Sequence, residues 1–515
     1  MSFLPSTHQA AIIHFVRNSR GNAVVNAVAG SGKSTLLRQI CEAVSAEPNL
    51  TVGTFAFNNE AKASLVGKLR HLPAVTVQTT YALGLGAVSA ASYPARVKVD
   101  ADKYRTLAKP HLAEFARGHW GQAQFSPALR AALADGGSQA LYAATFKLCD
   151  LARLDLLAAP TDAELTGLSD LHELDYPAAI QPLLFDLVRE LIAHGLTETT
   201  WIDFTDMVSL PGLLGLAPKQ FDLVLVDECQ DLNRAQLALM RSAVKPGGRS
   251  IFVGDPQQAI YGFAGADANS FQAIIDQTEA TVFPLSVCYR CPTAVVAKAQ
   301  TLCPLIEAAP SAAAGVLADV PAENFATMVE TGDMVLCRVN APLLGMAFEL
   351  IARGIKAVVR GRDIGKGLQK VVTEAASLLC GRDFTEHFGQ ALNEWREHNY
   401  IRAARKGGSE EQIAARRDRL DDQANCVLAV YGRVAHPTSA AAVNSAIESL
   451  FACTDPAVTL SSIHRAKGLE APRVFIAQPE KLECPRATSA WQLTQESNLF
   501  YVAVTRAQSA LFMLR

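Results

Sequence analysis

Residues 23–40 read AVVNAVAGSGKSTLLRQI. Residues 23–29 form an apolar run of strand length, and after Ser34 the spacing of Leu36, Leu37, Ile40 and Val44 marks one helix face. Between the two stand Ala29, Gly30, Ser31 and Gly32, just ahead of Lys33, Ser34 and Thr35. The order is strand, tight loop, helix. Small residues let such a loop wrap an anion with successive N–H groups turned inward. The opening helix adds the positive end of its dipole. The spacing predicts a phosphate loop, with Lys33 reaching the outer phosphates and the Ser34 hydroxyl holding Mg²⁺. The pattern G-x-x-x-x-G-K-[ST] is broken once, by Ala27 at the first glycine. A plain Gly-rich turn between strand and helix is the alternative. A phosphate loop implies a nucleotide but does not separate kinase, switch and motor.

The chain has 515 residues, 50% of them hydrophobic and 19% charged, which fits a globular protein of several domains. A net charge of −3 gives no global electrostatic sign of nucleic acid, so any basic surface must be local. No apolar run is long enough for a membrane span, and the start, MSFLPSTHQ, lacks the features of a secretory signal. A cytoplasmic protein with reduced cysteines is expected. Of eleven cysteines, Cys288 and Cys291 have C-x-x-C spacing, but no second C-x-x-C completes a metal set.

Strand-like runs recur with helical stretches between them: 50–57, 75–79, 221–228, 250–255 and 281–286, then 333–339, 356–361, 458–464, 473–478 and 509–514. Apolar runs alternating with helices predict parallel sheets, and two series predict two α/β domains. Each series is interrupted by a mainly helical stretch. The expected organisation is a first α/β domain, which carries the phosphate loop, from 1–92 and 196–284 with a helical insertion at 93–195. A second α/β domain would come from 285–370 and 456–515, with a short helical insertion at 371–455.

The run FDLVLVDECQD, 221–231, ends a buried strand in two acids. Asp227 can hold Mg²⁺, and Glu228 can polarise the water that attacks a γ-phosphate. Together with the phosphate loop they favour hydrolysis of a nucleotide over mere binding. The next strand runs into FVGDPQQAIYGFAGA, 252–266.

In this order the motifs resemble those of the superfamily 1 DNA helicases of the UvrD/Rep type, across nearly the whole chain. The resemblance implies two RecA-like parallel-sheet P-loop domains, each interrupted by a mainly helical insertion. It implies that Gln9 in STHQAAI reads adenine and that NAVAGSGKST is the phosphate loop. FAFNNEA, 55–61, is similar to a DNA-contact motif, with Phe57 and Asn59 at the matching positions. QTTYALG, 78–84, is similar to the next, with Thr79 as its contact. Gln258 would link γ-phosphate to DNA. Tyr261 and Phe263 would stack on bases. In CYRCP, Tyr289 would pack on adenine and Arg290 reach the γ-phosphate, which explains the C-x-x-C pair without a metal. In SSIHRAKGLEAPRVFI, His464 would contact DNA and Glu470 the ribose. In LFYVAVTRAQ, Arg506 would be the arginine finger.

The chain departs from the family pattern at Ala264, where many relatives have Arg, and at Asn58 and Glu60. Its second insertion is short, and it stops just after the last motif. Asp203 and Asp206 in WIDFTDMV are expected to be exposed helix acids without a catalytic role. The resemblance implies a monomeric motor that uses ATP and Mg²⁺ on single-stranded and tailed duplex DNA, moving 3′ to 5′. One alternative is a nucleic-acid-stimulated ATPase that senses or remodels without unwinding, motivated by Ala264 and the short insertion. Another is a small-molecule kinase, against which Gln258 and the two arginines argue.

Overall fold

The computed structural model describes residues 5–515 except 46, 48, 121, 122, 173, 175, 261–269, 406–409, 435, 436, 453–456 and 484–489. Within helices it gives no side chains at 135, 136, 139, 362, 363, 403–405, 410–412, 415, 452, 483, 490 and 491. The chain divides into two compact units, Met1–Ser286 and Val287–Arg515.

The first unit is built on a sheet of six parallel strands: β1 (Ala23–Ala27), β2 (Val52–Ala56), β3 (Val75–Thr79), β4 (Phe221–Val226), β5 (Val244–Gly254) and β6 (Thr281–Leu285), in the order β6-β1-β5-β4-β2-β3. Alternation divides the strand residues between two apolar layers. Val25, Leu223, Leu225, Ile251 and Val253 pack with Ile12, Leu36, Leu37 and Ile40, from helices α1 (Thr7–Asn18) and α2 (Lys33–Val44). Val24, Phe55, Val224, Val226 and Phe252 pack on the other face with Leu83, Leu237, Leu239 and Met240. Both faces are covered, which is why these strands read as continuous apolar runs. Because all six strands are parallel, every strand exit lies at one edge of the sheet, where α/β folds bind ligands.

Helices α3 (Asn59–Leu69) and α4 (Thr80–Ser92) follow β2 and β3. Between α4 and β4 lies a block of helices that includes Lys103–Ala116, Ser138–Leu154 and Gln181–Thr197. They share a core of Leu107, Phe115, Leu148, Leu184, Leu187 and Leu191. Two short pairings also occur here, Lys98–Val99 with Trp201–Ile202 and His119–Trp120 with Ala123–Gln124.

The second unit has its own six-stranded parallel sheet: β7 (Val316–Val320), β8 (Met334–Cys337), β9 (Ala357–Val359), β10 (Val458–Ser462), β11 (Ala471–Ala477) and β12 (Ala507–Leu514), in the order β7-β12-β11-β8-β10-β9. Four longer helices, Arg362–Ser377, Phe384–Arg405, Glu410–Tyr431 and Ala440–Ala452, stand between β9 and β10. Two parallel sheets with crossover helices agree with the expected pair of RecA-like domains. β7 is an edge strand that the sequence pattern does not announce. Val316 and Leu317 are exposed, so it lacks the apolar run of its neighbours.

Asp203 and Asp206 correct an expectation. They are buried, at 7% and 0% exposure, and not exposed helix acids. Arg153 Nη1 donates to Asp203 Oδ1 at 2.9 Å and Asp206 Oδ1 at 2.6 Å, and Nη2 donates to Asp203 Oδ2 at 2.8 Å. Lys103 Nζ donates to Asp206 Oδ2 at 2.7 Å, and the Tyr104 hydroxyl to Asp206 Oδ1 at 3.0 Å. The cluster bolts the helical block to the helix Phe204–Leu214, whose N-terminus Asp203 caps. Partnered charges of this kind tolerate burial where lone ones do not.

Candidate nucleotide site and the two arginines

The phosphate loop leaves β1 at its sheet-edge exit. Gly30 and Gly32 have φ of +68° and +86°, the left-handed region that glycine enters without steric cost. A Cβ on Gly32 would also lie 3.3 Å from Gln9 Nε2. Gly32 occupies the N-cap of α2 without a side-chain cap, so the first N–H groups of that helix are left to another acceptor. Ser31 Oγ is buried with no hydrogen-bond partner among the described residues. These features fit an anion. Gln9, 2% exposed, forms a reciprocal cap with Ser6: Ser6 N–H donates to Gln9 Oε1 at 2.9 Å, and Gln9 N–H to Ser6 Oγ at 3.2 Å. Its amide oxygen thus fixes the start of α1 while its Nε2 faces the loop.

Lys33, the first residue of α2, turns its ammonium to the exit of β4, where Nζ lies 3.0 Å from Glu228 Oε1 and 3.1 Å from Oε2. Burial alone would lower the Lys33 pKa, but Glu228, Asp255 and Asp227 outweigh it and the net direction is up. Asp227 is 6% exposed, and burial next to the Glu228 carboxylate raises its pKa despite Lys33. Its Oδ1 accepts from Glu228 N–H at 3.1 Å. Glu228 has φ +53° and ψ +44°, a left-handed conformation uncommon for a residue with a side chain. Ser34 opens α2 beside Lys33, and Thr35 follows one residue on. Asp255 and Gln258 follow β5, and Gln258 Nε2 donates to Asp255 Oδ2 at 2.6 Å.

The other sites called in the first unit are placed as follows. Phe57 is half-buried at the end of β2. Asn58, one of the departures, caps α3 by accepting from Ala61 N–H at 2.8 Å, which leaves Asn59 exposed at the first helical position. Thr79 is 8% exposed, and its hydroxyl oxygen caps α4 by accepting from Ala82 N–H at 3.2 Å. Tyr261, Phe263 and Ala264 lie outside the described residues.

In the second unit Arg290 Nη1 donates to the Thr505 carbonyl at 3.1 Å, and Nε stands 2.6 Å from Glu470 Oε2. Gln508 Nε2 donates to Glu470 Oε1 at 3.0 Å. Arg506 is 1% exposed: Nε donates to the Val502 carbonyl at 2.9 Å, Nη1 to the Leu469 carbonyl at 3.1 Å, and Nη2 meets Thr505 Oγ1 at 3.5 Å. Arg290, Glu470 and Arg506 thus form one cluster around Thr505. Tyr289 is 43% exposed. Cys288 and Cys291 are buried, and Cys291 N–H donates to Cys288 Sγ at 3.4 Å. Hydrogen bonding from Cys291 pulls the Cys288 thiol pKa down and pushes that of Cys291 up. No group of three metal-ligating side chains occurs among the described residues. His464 follows β10, and burial, with Arg338 nearby, lowers its pKa to about 4.

Three family descriptions match the chain: "AAA domain" at 5–103, "UvrD/REP helicase N-terminal domain" at 180–279 and "UvrD-like helicase C-terminal domain" at 368–515. The chain belongs to the UvrD/Rep-type superfamily 1 helicases. The ATP-dependent DNA helicase PcrA of Staphylococcus aureus is 29% identical over 135 residues, 23% of this chain and 18% of PcrA. The RecBCD enzyme subunit RecB of Mycobacterium tuberculosis is 34% identical over 84 residues, 16% of this chain and 8% of RecB. The chain thus spans less than a fifth of the length of these relatives. A solved chain of Arterivirus nonstructural protein 10 (helicase) aligns over 97% of this chain and 61% of its own, at 12% identity and TM-score 0.35. In this UvrD/Rep-type chain two buried residues at the candidate nucleotide site, Gln230 and Asp255, are not singled out by the sequence pattern. Both stand in quoted motifs, but their contacts depend on which strands are neighbours.

Proposed function

We propose that the chain is an ATP-driven DNA helicase that tracks along single-stranded DNA, 3′ to 5′, and separates strands. The observation that carries the reading is the meeting of Lys33, Asp227 and Glu228 at the exits of β1 and β4, which flank β5 in the sheet, beside a loop whose glycines and orphan donors suit phosphate. Lys33 would hold the outer phosphates. Glu228, kept at the mouth of the site by its left-handed backbone, would take the proton of the attacking water. Ser34 and Asp227 would hold Mg²⁺, which when bound neutralises charge on the phosphate oxygens. Gln9 and Tyr289 would flank adenine, and Glu470 would hold the ribose.

Arg290 and Arg506 would stabilise the transferring phosphoryl group. In the present arrangement both guanidiniums are engaged within the second unit, so this role requires them to exchange Thr505, Leu469 and Glu470 for phosphate oxygens. Such an exchange would make hydrolysis depend on the state of both units. Phe57, Asn59, Thr79, Tyr261, Phe263 and His464 are the proposed DNA contacts, and the helical stretches 93–195 and 371–455 the proposed insertions. Base stacking on aromatic side chains tolerates any sequence, as a translocating motor needs.

Steady-state ATP hydrolysis with and without oligo-dT tests the reading. Stimulation by the oligonucleotide, lost in Lys33→Ala, is the expected result. Hydrolysis by Lys33→Ala at the wild-type rate overturns the site.

A further inference from the structure

Gln230 lies four residues past the end of β4 and is completely buried. Both ends of its amide are engaged. Nε2 donates to Glu228 Oε2 at 2.6 Å, and Oε1 accepts from Asp255 N–H at 3.0 Å. Asp255 in turn accepts from Gln258 Nε2 at 2.6 Å and from Gln257 N–H at 3.1 Å. Two side chains therefore join Glu228 to Gln258, from the exit of β4 to the exit of β5, its neighbour in the sheet. The backbone is shaped to admit this amide. A Cβ on Gly254, the last residue of β5, would lie 2.5 Å from Gln230 Oε1 and 2.7 Å from Cys229 Sγ, so any larger residue would expel the Gln230 side chain. Ser270 Oγ, at the start of the helix Ser270–Thr278, donates to the Gln230 carbonyl at 2.8 Å and fixes the backbone there.

We infer that Gln230 is the positioning residue of the hydrolytic site: it aims the Glu228 carboxylate and ties that aim to the Asp255–Gln258 pair. The inference rests on the reading of Glu228 as the group that activates water. A glutamate carboxylate on three rotatable bonds and an unusual backbone has several ways to point, and Lys33 alone can be satisfied from more than one of them. The amide of Gln230 selects one. It also gives the β5 exit a direct means of moving Glu228, because a shift of Asp255 pulls on the same amide.

The test is single-turnover and steady-state ATP hydrolysis, with oligo-dT, by the wild type, Gln230→Met, Gln230→Glu, Glu228→Gln and the double variant Glu228→Gln/Gln230→Met. Gln230→Glu keeps the shape and the acceptor for Asp255 N–H while removing the donor to Glu228, so it carries the test if Gln230→Met fails to fold. Each Gln230 variant is expected to lower kcat by about tenfold to a hundredfold, with KM for ATP moving less than about threefold. In the Glu228→Gln background, Gln230→Met is expected to change the rate by less than about twofold, because the group it aims is already lost. Full kcat in both Gln230 variants, with Glu228→Gln inactive, overturns the inference and leaves the reading of Glu228 intact. A Gln230→Met effect of the same size in both backgrounds also overturns it, since that is the mark of a general packing defect. Wild-type hydrolysis by Glu228→Gln overturns the reading of Glu228 and the inference with it.

Discussion

Glu228 holds a left-handed backbone conformation between a buried aspartate and a buried cysteine. Holding a non-glycine residue there costs about 1–3 kcal/mol, sustained only where the surroundings impose it. Here the Lys33 ammonium, the Gln230 amide and the Asp227 carboxylate all fix Glu228. Glu228→Gln is expected to lower ATP hydrolysis by about 10²–10⁴-fold while ATP binding, followed by a fluorescent nucleotide analogue, persists. Gly32→Ala acts differently. It must strain a φ of +86° and press on Gln9, so it should weaken nucleotide binding itself. Unchanged nucleotide affinity in that variant would contradict the cradle. Much of this was legible in the sequence, because Asp227 and Glu228 end one apolar run, Lys33 follows another across a short loop, and the fold needs only parallel strands to gather them. Gln230 and Asp255 were not legible. Their link depends on β4 and β5 being neighbours, and alternation of apolar residues does not specify strand order.

At the scale of elements, the helical block of the first unit is held to the helix Phe204–Leu214 by charge as well as by apolar packing. Arg153→Met leaves Asp203 and Asp206 buried with fewer partners, and should cost about 3–5 kcal/mol. Chemical denaturation should show it, and a change under about 1 kcal/mol would contradict the description. This cluster was hidden in the sequence because Arg153 and Asp206 are 53 residues apart and ordinary charge patterning puts acids in a first helical turn at the surface. β7 was missed for the opposite reason: as an exposed edge strand it has little to bury. In the second unit His464 brings a pH dependence. Its folded pKa, about 4, lies below the unfolded value, about 6.5, because burial near Arg338 disfavours the imidazolium. The neutral ring therefore supports folding above the unfolded pKa, and that support is lost as pH falls through the folded one. His464→Gln should flatten the fall in thermal stability between those two values, and an unaltered slope would contradict the assignment.

For the whole molecule, each unit has its own parallel sheet, and neither holds the full set of site residues that the proposal requires. Lys33, Asp227, Glu228 and Gln258 belong to the first, and Arg290, Glu470 and Arg506 to the second. Arg290→Ala should then lower DNA-stimulated hydrolysis while leaving the thermal stability of the first unit unchanged. An arginine on the transferring phosphoryl group contributes about 10³–10⁵ in rate in comparable enzymes, which sets the scale of the loss. The most direct test of the account is displacement of a labelled strand from duplexes carrying a 3′ or a 5′ single-stranded tail, with ATP, by the wild type and Glu228→Gln. The account predicts displacement from the 3′-tailed duplex by the wild type alone. Equal displacement by Glu228→Gln, or hydrolysis stimulated by DNA with no strand released from either duplex, would contradict it.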